Sequence, residues 1–342
     1  MTGTIAQLLL RRRLPIRAVR PSRLIVVGLT MMAVAANLCA ASIDVGLPVT
    51  ALAFSTDGNE LLVGCTNQVR RYGWPSLTEL EPLLQLEMLQ INTVRLSPDG
   101  RKLLVAGGDP SEAGAVHCYA WPQRTRLYSV ELHRDVVYAV AWSPDGTHWA
   151  TASADVECKV ADADNGQPIT TFRGHSRPVL TIAYSTDGAT LASAGVDQTI
   201  QLWNARDGQH IRTLNNHVNS VTALWTLPNL NGRERLLSSG KDRTLRLWEP
   251  TIGRLIRFER LDAIPAFVAQ ANSTSPVFVV TQAGEQFMTA NAPWTRWERR
   301  EAPWGSEASS PIYSIALPPN GKQLVLGTAV GRLVVVPLED VH

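Results

Sequence analysis

The residues that decide the fold are His175–Trp203, HSRPVLTIAYSTDGATLASAGVDQTIQLW. After the His, Val179 to Tyr184 form an alternating apolar segment, the pattern of a strand with one covered face. Ser185-Thr186-Asp187-Gly188 supplies a tight reversal, with Gly188 free to take positive φ. A second run from Thr190 to Ala194, a turn ending at Asp197 and a third run from Thr199 to Trp203 complete an antiparallel meander. One such meander leaves too much apolar surface uncovered to fold alone. The chain answers this by repeating it.

The turn glycines recur at Gly58, Gly100, Gly146, Gly188 and Gly232, at intervals of 42, 46, 42 and 44 residues. The next, Gly321, lies 89 residues on, which is two periods with one turn unmarked. A period of about 40–45 residues points to propeller blades. The 301 residues from Ser42 to His342 divide into seven units of 43. The unmarked sixth unit, roughly Ala263 to Glu307, keeps two strand-like runs at Ile264–Val268 and Pro276–Val280. The expected fold is therefore all-β: a seven-bladed propeller of four-stranded antiparallel blades packed around an axis.

A recurring set of polar residues accompanies the repeat. The fourth unit carries His175, Ser193, Asp197 and Trp203, and the fifth carries His217, Ser238, Asp242 and Trp248. The third has His133, Thr151 and Asp155, with Ala161 where the Trp is expected. In this the chain resembles the WD-repeat β-propeller family, over nearly the whole body. That resemblance implies a buried hydrogen-bonded set in each blade: a His before strand a, a Ser or Thr in strand b, an Asp in the b–c turn and a Trp in strand c. The chain departs from the family at Trp203-Asn204 and Trp248-Glu249, where Trp-Asp is expected, and at Tyr72 and Tyr119, which stand at the Trp position of units one and two. Units six and seven lack the set.

The formal net charge of +2 conceals an uneven distribution. Arg11, Arg12, Arg13, Arg17, Arg20 and Arg23 precede the first acidic residue, Asp44, and without them 26 basic face 30 acidic side chains, a net of −4. A mildly acidic body lacks the basic footprint that a nucleic-acid partner requires. Behind the arginines, residues 24–41 carry no charge. As a helix they would span about 27 Å, slightly short of a hydrocarbon core of about 30 Å. A basic flank, an apolar run and small residues before a cut after Ala41 read as an export signal, so residues 1–41 are assigned to a signal or membrane anchor and 42–342 to the propeller. The protein is then periplasmic or extracellular, or tethered by residues 24–41; a start site placed too early would instead leave it cytoplasmic.

Ser193, His175 and Asp197 together suggest a nucleophilic triad, but a triad is needed once and this set appears twice in full and a third time in part. Repetition argues for a structural role. Cys65, Cys118 and Cys158 have unrelated spacings, and Asp162–Gly166 lacks the alternation of a calcium loop, so no metal and no cofactor are expected. Trp294, Trp297 and Trp304, interleaved with Arg296, Arg299 and Arg300, form either a binding surface or an outer strand packed on a neighbour.

The resemblance implies a non-catalytic scaffold for a protein or peptide partner; the alternative is an enzyme or small-ligand binder using the central channel. Loops d–a and b–c should share one face. Candidate partner contacts there are Asp135, Arg177 and Asn219 after each His, and Val196 and Lys241 before the turn Asp, joined by a long b–c segment Gly107–Ala115. Two structural expectations complete the reading. The outer strand of the last blade should come from Ser42 to Val45, closing the ring against Leu333–Val336, and Trp149 or Trp142 should fill the space beside Ala161.

Overall fold

The computed structural model describes residues 41–81, 84–86, 90–230, 232–270, 276–284, 286–291, 294, 296–301 and 310–338. Residues 24–40 of the expected signal or anchor, and Trp304, lie outside them. Among the described residues no helix is long and apolar enough to cross a membrane.

The strands assemble into seven antiparallel sheets. Blade 4 shows the pattern: strand a at Val179–Tyr184, b at Thr190–Gly195, c at Ile200–Asn204 and d at His210–Leu214, paired in that order. In blades 1 to 4 the a–b reversal is fixed by a Ser-x-Asp-Gly turn. In blade 4 the Ser185 hydroxyl donates to Asp187 at 2.6 Å, the Asp187 carboxylate accepts the Ala189 N–H, and Gly188 sits at φ 75°. These donors hold Asp187 below the ordinary carboxylate range, the Ser185 hydroxyl contributing most. The innermost strands of successive blades touch one another all the way round, Pro265–Ala269 of blade 6 meeting Ile312–Ala316 of blade 7, and that strand meeting Ala51–Phe54 of blade 1.

The ring closes as the strand count requires. Ala41–Asp44 is the outer strand of blade 7 and pairs antiparallel with Arg332–Pro337, in the register Ala41↔Val335 to Asp44↔Arg332. Val45 continues the seam through its N–H to the Gly331 carbonyl. It packs into a core shared by Leu52 and Leu61 of blade 1 and Val325 and Leu333 of blade 7. The apolar core is thus divided among the spaces between blades. Between blades 3 and 4, Cys158, Val160 and Phe172 meet Val179, Leu191 and Trp203. Burial raises the Cys158 thiol to about 12 and Cys65 to about 11, so both are neutral core side chains.

Three expectations need correction or refinement. The outer edge of blade 1 is not one strand: Thr78–Glu79 and Leu84–Gln85 pair separately with Gln68–Gly73. The segment Gly107–Ala115 is not a long loop, because Lys102–Asp109 and Ala113–Ala120 pair down to Asp109↔Ala113. Its glycines serve close packing instead. A Cβ on Gly107 would lie 1.9 Å from the Gln90 carbonyl oxygen, and one on Gly114 would lie 2.2 Å from that of Asp135. In blade 3, Trp149 fills the space that Ala161 leaves. The two are cross-strand partners, both fully buried, just as Leu191 and Trp203 are in blade 4. The large and small members have changed strands. Trp142 instead lines the axis, and its indole N–H donates to the Arg95 carbonyl at 3.3 Å.

Candidate functional site

Three blades bring the expected polar residues together with nearly the same geometry. In blade 4, His175 Nδ1 lies 2.8 Å from Asp197 Oδ2 and its Nε2 lies 2.8 Å from the Ser193 hydroxyl. A carboxylate can only accept, so Nδ1 donates to it and Nε2 accepts the Ser193 proton. Ser193 Oγ in turn accepts the Trp203 indole N–H at 3.1 Å. In blade 5, His217, Asp242, Ser238 and Trp248 repeat the chain with all three contacts at 2.8 Å. Blade 3 has His133 to Asp155 at 2.9 Å and to Thr151 at 2.7 Å, without an indole. There the Thr151 hydroxyl faces a second acceptor, the Lys159 carbonyl at 3.3 Å.

Each turn Asp also accepts backbone N–H groups on both sides: from Arg134 and Glu157 to Asp155, from Ser176 and Thr199 to Asp197, and from Val218 and Thr244 to Asp242. Burial alone would raise these carboxyls. Hydrogen bonds from the His rings and the backbone outweigh it and hold all three below the ordinary range, Asp155 at about 2. The clamp also holds the next residue of each turn in the left-handed region: Val156 at φ 68°, Gln198 at 70° and Arg243 at 61°. That conformation is costly for a β-branched residue such as Val156. Ser193, Ser238 and Thr151 have no exposed surface, and their hydroxyls are spent within the network. The geometry fastens the d–a loop to the b–c turn.

Because the His lies on the d–a loop and the Asp in the b–c turn, both loops emerge on one face. Backbone bonds from Val196 to Pro178 and from Lys241 to Ser220 tie them again. Arg177, Asn219 and Lys241 are exposed there, and Val196 is half-buried. Asp135 behaves differently. It is half-buried, and its carboxylate accepts the N–H of Ser111 at 2.9 Å and of Val136 at 2.7 Å, pinning the tip of the blade 2 hairpin. Apolar residues that the sequence reading missed join this face. Val218, next to His217, is 75% exposed, and Val330 in the b–c turn of blade 7 is 61% exposed. Tyr138 and Tyr313, each second in its innermost strand, are also exposed. Their register position was legible, but not which of them would lack a covering neighbour.

The Trp-rich stretch of blade 6 is an outer edge. Trp294 is buried, Trp297 packs against the same core, and Arg299 bonds the Arg260 carbonyl and lies 3.7 Å from Asp262. Asp162–Gly166 is a c–d turn, in which Asp162 accepts the N–H of Asp164 while Asp164 pairs with Lys102. The axis is an open channel with a cavity volume of about 760 Å³, lined by innermost strands of all seven blades.

Comparison with known proteins follows the same repeat. The family model described as WD domain, G-beta repeat matches residues 166–204 and 208–249, the segments that hold the two complete polar sets. A second family model, Eukaryotic translation initiation factor eIF2A, matches residues 30–177. WD repeat-containing protein 1 of Mus musculus is 32% identical over 85 residues, which are 24% of this chain and 13% of that protein. Periodic tryptophan protein 2 of Saccharomyces cerevisiae is 33% identical over 115 residues, covering 33% of this chain and 12% of that protein. Nuclear distribution protein nudF of Aspergillus niger is 32% identical over 111 residues, 31% of this chain and 23% of that protein. These matches span less than a quarter of each relative's length. A solved structure titled Crystal Structure of Mitotic Checkpoint Complex superposes with a TM-score of 0.77, covering 98% of this chain and 99% of that chain at 19% identity. At that identity the likeness concerns the fold alone.

Proposed function

We propose that this chain, a β-propeller of the WD-repeat family, is a non-catalytic scaffold that docks a protein or peptide partner on the face bearing its d–a and b–c loops. WD-repeat propellers are generally interaction scaffolds. The observation that carries this reading is the makeup of that face. Rigid His–Asp clamps hold short loops whose exposed side chains include Arg177, Lys241, Asn219 and Val218. Exposed cations beside apolar and aromatic groups on a fixed frame suit a protein partner better than a reaction centre. Arg177→Ala with Lys241→Ala should leave the melting temperature nearly unchanged, since exposed charges contribute little to folding. The same double variant should weaken capture of the partner. If capture survives it but is lost on replacing the exposed Arg296 and Arg299 of that stretch, the interface is the blade 6 edge and the assignment fails.

The second part of the proposal is export by residues 1–41, as a cleaved signal or a retained anchor. The charge pattern of the leader supports it. A cut after Ala41 would leave the ring closed, retaining Ser42↔Val334, Ile43↔Leu333 and Asp44↔Arg332, three of the four register pairs. Cell fractionation with mass spectrometry of the N-terminal peptide checks this. A soluble protein in the cytoplasm that retains its arginines would contradict it.

A further inference from the structure

The channel through the ring has an unusual distribution of size and charge. At one register position the innermost strands of five blades carry alanine: Ala53, Ala141, Ala183, Ala269 and Ala316. The other two carry Arg95 in blade 2 and Trp225 in blade 5. Two blades lie between them in one direction and three in the other, so the two large side chains stand on nearly opposite walls. Each has alanine at the same level in both neighbouring blades. The packing leaves room between them.

Among the described residues, Arg95 is the one charged side chain in the channel lining. It is deep within the ring, yet open to the solvent of the lumen. Among the described residues its guanidinium makes one hydrogen bond, from Nη1 to the adjacent Val94 carbonyl at 3.3 Å, and has no carboxylate within ion-pair distance. Carboxylates of the a–b turns are committed elsewhere: Asp57, Asp99, Asp145 and Asp187 each accept a Ser hydroxyl of their own turn. Enclosure depresses the guanidinium's pKa, but an arginine remains charged at neutral pH. It presents a planar fork of N–H donors whose natural complement is a carboxylate or phosphate. The wall around it is aromatic as well as small, with Trp142, Trp225, Tyr184 and Phe267 all in the lining.

We propose that the central channel is a binding site for a small aromatic oxyanion, whose carboxylate or phosphate is held by Arg95 and whose ring lies against the Trp225 wall. This goes beyond the scaffold reading and does not depend on it, since Arg177 and Lys241 lie on the loop face and outside the channel lining.

Titration calorimetry of the purified protein with benzoate, phenyl phosphate and the neutral benzamide tests it. At least one of the two anions should bind saturably in the millimolar range or tighter, and which one does so identifies the oxyanion. Benzamide should bind about tenfold more weakly or not at all. Arg95→Gln should reduce anion affinity about tenfold or more, with the melting temperature of the free protein unchanged or raised. Arg95→Lys should retain part of the affinity. Trp225→Leu should weaken the anions and leave inorganic phosphate unaffected. Equal binding of benzoate and benzamide, full affinity in Arg95→Gln, or no saturable binding of either anion would each overturn the proposal. None of these outcomes would change the partner-capture result for Arg177 and Lys241.

Discussion

A chain beginning at Gly46 is expected to be about 3–5 kcal/mol less stable than one beginning at Ser42, and to aggregate on warming. The deletion removes the buried Val45 and the half-buried Ile43 from the seam between blades 1 and 7. Full burial of such a side chain contributes about 1.5–3 kcal/mol, Ile43 adds part of that, and the lost strand pairing adds the rest. It also leaves the backbone of Arg332–Pro337 unpaired along one edge, and an open strand edge is a template for pairing with another chain. Against a total stability of about 5–15 kcal/mol the loss is large. Guanidinium unfolding of the two chains, followed by light scattering on warming, measures it. Coincident midpoints would mean that the ring holds without its closing strand.

Trp203→Ala should cost about 3–5 kcal/mol, the range for truncating a large aromatic in a packed core. Trp203 is fully buried, stacks on Phe172 with centroids 5.0 Å apart and planes 6° apart, and donates to Ser193. Truncation would open a cavity between blades 3 and 4 and leave the Ser193–His175–Asp197 chain without its indole. Trp203→Phe, which keeps the stacked ring and removes the donor, should cost about 1–3 kcal/mol, the range for leaving a buried polar group short of a partner. Blade 3 suggests a rescue. It carries Ala161 at the same position and places Trp149 across the strand pair, so Leu191→Trp added to Trp203→Ala should recover part of the loss. Denaturant midpoints decide both points. A loss below about 1 kcal/mol for Trp203→Ala would remove the claim that these sets hold the blades.

Much of this was legible because the repeat speaks several times. The recurring His, Ser or Thr and Asp positions identified the clamps of blades 3, 4 and 5, and the unit length required a borrowed outer strand near Ser42. What was misread came from composition without register. Gly107 and Gly114 looked like loop residues beside Ser111 and Glu112, although Gly107 occupies the same place at the end of strand b as Gly195 and Gly240 do. Aligning those three positions would have shown a close backbone approach rather than a loop. Asp135 looked like a surface contact because its use depends on a hairpin tip that reaches back from another blade. The broken edge of blade 1, the exposure of Val218 and the solitary charge of Arg95 depend on neighbours distant in sequence. No local pattern carries them.

The central claim is that recognition occurs on the loop face and that the polar sets serve only to hold it. Amide hydrogen exchange of the protein with and without its captured partner tests this most directly. Binding should slow exchange at residues 175–178, 195–198, 217–220 and 240–243, while the outer strands Arg254–Arg260 and Glu298–Glu301 exchange as before. Protection confined to those outer strands, with the loops unchanged, would contradict it.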